Sequence, residues 1–143
     1  MVLDIWALNL IPGLVIGIIA GIVDLFFMIK DESGSAKSVL GHGLGAFIPL
    51  IIFSVISMNI TLVTSLEGIA NTALANEPLM RIIFVLVMVG YIHAKSALFK
   101  GAKGAGMSET WIHSLIITIL VGLAPYLWVL IGPMLPAWAG GSQ

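Results

Sequence analysis

The stretch Gly13-Leu-Val-Ile-Gly17-Ile-Ile-Ala-Gly21-Ile-Val-Asp24 places a glycine at every fourth position and ends on an aspartate. On a helix, these three glycines and Asp24 fall within about 80° of one another. The glycine face is a flat groove against which a second helix backbone can pack closely, as in small-residue pairs of membrane helices. The stretch therefore predicts an apolar, closely packed helix with a carboxyl group at one end of its groove.

The composition of the whole chain is that of a membrane protein. The 143 residues are 59% hydrophobic and 9% charged, with a mean hydropathy of +1.14. A soluble domain carries roughly 25% charged residues, so this chain has too little charge to cover a soluble surface. A net charge of −1 gives no reason to expect a nucleic-acid partner. The absence of cysteine excludes disulfides and thiolate metal sites.

The apolar runs predict an all-α, polytopic integral membrane protein, a four-transmembrane-helix bundle in one domain over residues 1–143. The first run has Asp4 where a signal peptide has basic residues, so we interpret it as a retained span. The expected spans are about 5–29, 39–58, 78–98 and 111–131.

Proline and capping signals add detail to the predicted spans. Pro49 should kink the second span, and a neighbour or Ser54 must then satisfy the freed carbonyl. Pro125 should interrupt the fourth span. Between the second and third spans, Thr64-Ser-Leu-Glu67 fits a capping box. We therefore expect a short amphipathic helix on the outer membrane surface within 59–77, or alternatively an extension of the second span.

Basic residues set the expected orientation. Five lysines flank the two hairpins that join the spans in pairs, and Arg81 alone lies on the opposite side. The positive-inside rule then places both hairpins in the cytoplasm and both termini outside, in a multi-pass protein of the cell membrane. The residues expected to contact lipid headgroups are Lys30, Lys37, Arg81, Lys100 and Lys103.

A weak internal repeat relates the two halves of the chain. In the first half, Gly21-x-x-Asp24 is followed by Lys30 and His42, and in the second Gly90-x-x-His93 is followed by Lys100 and His113. Equal orientation of the halves would make this a parallel two-helix repeat about an axis along the membrane normal. The alternative is chance, or the common requirements of short hairpins.

Small residues recur on three of the four predicted spans, in the pattern of a glycine zipper. We expect these faces to pack helices of this chain against one another, the alternative being contact with another subunit. The residues are Gly13, Gly17, Gly21, Gly41, Gly45, Gly90 and Ala94.

One ionisable residue lies near the cytoplasmic end of each span: Asp24, His42, His93 and His113. Because such groups cost a few kcal/mol inside a span, they predict function by default, and this applies best to Asp24 and His93. His42 and His113 are expected close enough to the headgroups for ordinary interfacial solvation. All four are candidates for a cation or proton pathway. Together with Glu109 they are also candidate ligands of a divalent metal such as zinc, copper or iron. Packing roles alone are the third alternative.

The sequence shows no nucleophile–base constellation. Ser114 follows His113 directly, but neighbours on a helix point about 100° apart and cannot form a dyad. We therefore expect no enzyme active on its own. The leading hypothesis is an accessory or structural subunit of a larger membrane complex, or a homo-oligomer, with the lipid bilayer and other membrane subunits or further copies as partners. The alternatives are a cation or proton channel or transporter, and a membrane-embedded metal-binding protein.

Overall fold

The computed structural model describes residues 8–31, 36–103 and 111–141, and this part of the chain is helical without strands. The all-α prediction is confirmed. The helices are α1 (Leu10–Asp31), α2 (Ala36–Met58), α3 (Ile60–Thr64), α4 (Glu67–Ala70), α5 (Glu77–Lys103), α6 (Trp111–Gly122) and α7 (Ala124–Ile131). Single 3₁₀ turns lie at Ala73–Ala75, Gly132–Met134 and Ala137–Ala139.

Helices α1 and α2 form the closest pair, because the glycines of α1 leave room for the α2 backbone. A Cβ built on Gly13 would lie 2.7 Å from the Cα of Val55, and one on Gly17 would lie 2.5 Å from the Cα of Ile51. Gly21 faces the ring of Phe47 in the same way. Contact positions fall along α2 as they rise along α1, so the two helices are antiparallel.

A second antiparallel pair, α5 and α6, closes the bundle. Gly122 of α6 packs against Val85 of α5, and Ser114 lies beside His93. Helix α6 also contacts α1 and α2. The hydrophobic core lies where the four long helices meet, and its fully or almost fully buried residues are Ala20, Leu50, Met88, Ile117 and Val121.

The apolar segment after Trp111 is broken, as Pro125 predicts. Helices α6 and α7 meet at Leu123 with a bend of 66°. Pro125 has no N–H to donate, so the helix cannot continue regularly through this point. At this bend the last carbonyls of α6 and the first N–H groups of α7 lack partners within a continuous helix.

Two helices of the described chain are long and apolar enough to cross a membrane, at Leu10–Phe27 and Glu77–Lys95. The bent pair from Trp111 to Met134 makes up to three if it counts as one span. The apolar part described in α2, Gly45–Met58, is shorter. Composition and length therefore indicate two or three candidate membrane spans within the described residues.

The connection between α2 and α5 differs from the single amphipathic helix that we expected. It consists of α3, α4 and one 3₁₀ turn. The predicted capping box is wrong, because α4 begins after Leu66 and the Thr64 hydroxyl instead donates to the carbonyl of Thr61 at 3.0 Å. A local bond within the preceding turn therefore takes the hydroxyl that a cap would need.

Candidate functional site

The centre of the candidate site is a buried carboxylate–imidazole pair. Nε2 of His113 lies 2.9 Å from Oδ1 of Asp24, at hydrogen-bond distance. Asp24 is 4% exposed and His113 is 3% exposed. The residues come from α1 and α6, 89 positions apart in the chain, so the fold brings together two of the four predicted ionisable residues.

Packing of the helices holds this pair in place. Asp24 follows the fully buried Ala20 by four residues and therefore lies on the same face of α1. The ring of Phe27 lies 5.0 Å from the His113 ring, between centroids. The glycine face of α1 brings Asp24 close to the neighbouring helices, and an aromatic ring packs against the imidazole.

A second histidine lies next to the first pair. Nδ1 of His93 is 3.1 Å from Oγ of Ser114, and the ring of Trp111 packs on His93 at 3.6 Å between centroids. Ser114 and His113 are consecutive on α6, and their side chains reach different helices, α5 and α1. Consecutive side chains on a helix point about 100° apart, so Asp24–His113 and His93–Ser114 are two separate contacts on different faces of α6.

Lys95, which lines a cleft together with Asp24, has a backbone partner. Nζ of Lys95 donates to the carbonyl oxygen of Gly45 at 3.0 Å. This is the carbonyl four residues before Pro49, which has no N–H to offer it. Helix α2 continues through Pro49, and its freed carbonyl is satisfied by the neighbour Lys95 and not by Ser54.

A cleft between α1, α2 and α5 reaches Asp24 from the side. The space within it, including the part that is open to the outside, is about 320 Å³. Apolar residues make up most of its lining, with Asp24, Lys95 and Tyr91 as the groups that carry polar atoms. An acidic and a basic group therefore face one small apolar cleft.

A second polar cluster occupies the opposite end of the bundle, around Arg81. Its guanidinium lies 2.6 Å from Oε1 of Glu77 and donates to the carbonyls of Ser57 at 3.2 Å and Gly122 at 3.4 Å. The ring of Tyr126 packs beside it, 5.6 Å from the guanidinium carbon. Arg81 thus binds the ends of α2 and α6, and its predicted contact with lipid headgroups stays a prediction.

The predicted packing glycines divide into two sets. Gly13, Gly17 and Gly21 lie against α2, whereas a Cβ on Gly45 or Gly90 would meet nothing within 4 Å. Ala94, one turn after Gly90, is exposed. The surroundings of Gly41 lie outside the described part of the structure.

The metal hypothesis has limited support in the described residues. They contain no group of three or more histidine and acidic side chains placed to hold an ion. The side chain of His42 and the whole of Glu109 lie outside the described part, as do the side chains of Lys30, Lys37, Lys100 and Lys103. A site shared by all five candidate ligands stays a prediction.

Sequence reasoning placed Arg81 at the lipid headgroups and did not predict the backbone contacts of Lys95 and Arg81. Lys95 could have been found from Pro49, since a proline inside a helix always frees one carbonyl. Arg81 could have been found from Pro125, since a broken helix exposes carbonyls that attract a guanidinium. Neither proline identifies which distant residue supplies the donor.

No family model, curated protein or solved structure matches this chain. The class of this protein therefore follows from its described residues alone, which are helical, contain two or three candidate membrane spans and bury an acid–imidazole pair.

Proposed function

We propose that this protein is a four-span membrane bundle with both termini outside, and that it carries protons through the cell membrane by way of the Asp24–His113 pair. The observation that supports the proposal is the burial of an acid and a base side by side in an apolar bundle. Charged groups inside a span are expensive and are found where ions or protons pass. Four spans require α2 to cross beside α1 and the bent α6–α7 pair to cross once.

The chemistry of the pair suits proton transfer. A carboxyl and an imidazole at hydrogen-bond distance can share one proton, so the pair is either two neutral groups or an ion pair. Imidazole gains and loses a proton near neutral pH, as a relay requires. A purely structural pair would be a poor choice here, because apolar residues of similar volume are often as stabilising as a buried ion pair.

Neighbouring groups supply routes to the pair on its own side of the bundle. His93 reaches Ser114, the residue that follows His113. Lys95 lines the cleft that reaches Asp24. Both hairpins of the predicted topology lie on this side, so protons would reach the pair from the cytoplasm through His93 or the cleft.

Reconstitution of the purified protein into liposomes tests this function. A pH-sensitive dye inside the vesicles should report proton influx when a potassium gradient and valinomycin set the membrane potential. Asp24→Asn should abolish the influx while leaving the oligomeric state and helix content unchanged. Glu67→Gln, which neutralises an exposed carboxylate far from the pair, is the matched control and should conduct as the native protein does. Unchanged influx in Asp24→Asn would refute the proposal.

A role as a subunit of a larger assembly is the second candidate function. Gly45 and Gly90 favour it, because a Cβ on either would meet nothing within 4 Å and the open space leaves room for another helix. Native mass spectrometry in mild detergent would test it. A monomer that conducts protons unaided would argue against the subunit role.

A further inference from the structure

Four buried hydroxyl groups lie between the two polar ends of the bundle. Ser114 and Thr118 of α6 and Ser54 and Ser57 of α2 are all 1% exposed or less, in the same region as the hydrophobic core. Such residues are mostly exposed in proteins, so four fully buried hydroxyls in one small bundle need a reason. The proton pair and the Arg81 cluster lie at the two ends of this set.

The helix register places these hydroxyls in order. The Ser57 hydroxyl donates to the Gly122 carbonyl at 3.3 Å, which fixes α2 and α6 at one level. The two helices run in the same direction. The start of α6 lies beside the end of α1, at His113 and Asp24, and the end of α6 lies beside the end of α2, at Gly122 and Ser57. Ser54 lies about one turn before Ser57, and Thr118 one turn before Gly122, so they share the next level.

The spacing along α6 suits water-bridged transfer. Ser114, Thr118 and Gly122 follow one another every four residues and occupy one face of the helix, about 6 Å apart along the axis. Two hydrogen bonds through one water span a similar distance, since each is roughly 2.8 Å long. Each oxygen along such a chain accepts one proton and releases another, and so returns to its neutral form.

The Ser54 hydroxyl indicates a bound water by an observation that does not depend on the helix spacing. Its Oγ is fully buried and has no hydrogen-bond partner among the described residues. A buried hydroxyl without a partner costs about 1–3 kcal/mol, and buried waters commonly satisfy such groups. Thr118, on the same level, has one local bond to the Leu115 carbonyl at 3.0 Å, and its oxygen has further capacity.

We propose that Ser54 and Thr118 bind water midway along a polar seam that leads from the His93–Ser114 contact, beside the Asp24–His113 pair, to Arg81–Glu77. The seam consists of Ser114, Thr118, Ser54 and Ser57. At its outer end, Arg81 binds the exposed carbonyls of two helix ends, and Glu77 beside it accepts and releases protons. The seam extends the proposed proton pathway and rests on it, but water at Ser54 can be tested without any flux.

Cysteine accessibility tests the seam, because the native chain contains no cysteine. Ser54→Cys and Thr118→Cys would be exposed to Ag⁺ in membranes open on both sides, and the thiols that remain would be counted with a maleimide after unfolding. The matched control is Val121→Cys, a fully buried core position on α6 one turn beyond Thr118. Since the thiolate reacts and forms readily only in contact with water, the seam positions should be blocked about tenfold faster. Equal rates at all three positions would overturn the proposal.

A measurement of proton influx distinguishes the proposed seam from the proposed transport function of the Asp24–His113 pair. The double variant Ser54→Ala/Thr118→Val should lower proton influx about tenfold or more, as expected for loss of a positioned proton carrier. Ser65→Ala, which removes an exposed hydroxyl, is the control. Native influx in the double variant, together with no influx in Asp24→Asn, would overturn the seam and leave the proposed function standing. A native protein that carries no protons would remove the proposed function, and the Ag⁺ rates would still decide whether water reaches Ser54.

Discussion

Lys95 donates from Nζ to the carbonyl oxygen of Gly45, the one carbonyl of α2 that Pro49 deprives of its helical donor. The lysine thereby links α5 to the middle of α2, beside the cleft that reaches Asp24. The lysine ammonium is thus held by a carbonyl that a proline leaves free. The contact therefore makes Pro49 and Lys95, which are 46 positions apart in the sequence, depend on each other.

The dependence predicts energetic coupling between Pro49 and Lys95. Lys95→Met should destabilise the protein by about 1–3 kcal/mol, because it leaves the Gly45 carbonyl without a donor. In a Pro49→Ala background, the restored N–H of residue 49 satisfies that carbonyl, and Lys95→Met should cost about 1 kcal/mol less. Unfolding of the four variants in mixed micelles measures the coupling. Additive effects would show that the bond contributes nothing to stability.

The glycines of α1 and α5 predict opposite effects of the same substitution. Gly17→Ala should destabilise by about 1–3 kcal/mol, because its Cβ would lie 2.5 Å from the Cα of Ile51 and force the helices apart. Gly90→Ala meets nothing within 4 Å and should stabilise by about 0.5–1 kcal/mol through helix propensity. Thermal unfolding in detergent compares the two. A destabilising Gly90→Ala would indicate that another helix packs on α5 in the assembled protein.

We expect the stabilising contribution of Arg81 to depend on its guanidinium geometry as well as on its positive charge. Its side chain is 13% exposed and binds Glu77 and two carbonyls at once. Arg81→Lys keeps the charge but loses the planar fork, so it should destabilise by about 1–2 kcal/mol. Arg81→Met should cost more, because it removes every donor. Glu67→Gln on the exposed connection is the control, and equal unfolding midpoints for Arg81→Lys and the native protein would contradict this role.

The sequence predicted the local features of this fold better than its long-range contacts. The packing face of α1 and the break at Pro125 follow from backbone geometry, which a few neighbouring residues determine. The pairing of Asp24 with His113 depends on how α1 and α6 meet, and the four candidate residues gave no spacing that selects this pair over His42 or His93. The burial of Ser54 and Thr118 could not be predicted, because the local sequence of an apolar helix does not show which serines and threonines lie deep in the bundle.

The Asp24–His113 pair itself predicts opposite consequences for stability and transport. Removal of one partner, as in His113→Leu, should destabilise by about 3 kcal/mol, because it leaves a buried carboxyl group without its partner. Replacement of both by leucine should recover most of that loss, because apolar residues of similar volume pack well in a buried site. Proton influx should be absent from both variants. Unfolding in mixed micelles and dye influx in liposomes, measured on the same preparations, give the comparison.

The double leucine variant distinguishes a conducting pair from a structural one. If Asp24 and His113 served only to hold α1 against α6, the apolar replacement would keep every property of the native protein, including its influx. If they carry protons, the double leucine variant will form a stable and correctly assembled bundle that shows no proton influx, since leucine has no group that binds a proton. Aspartate and histidine would then be present in this bundle because of transport, and the glycine groove of α1 would serve to bring that carboxyl group to its imidazole partner on α6.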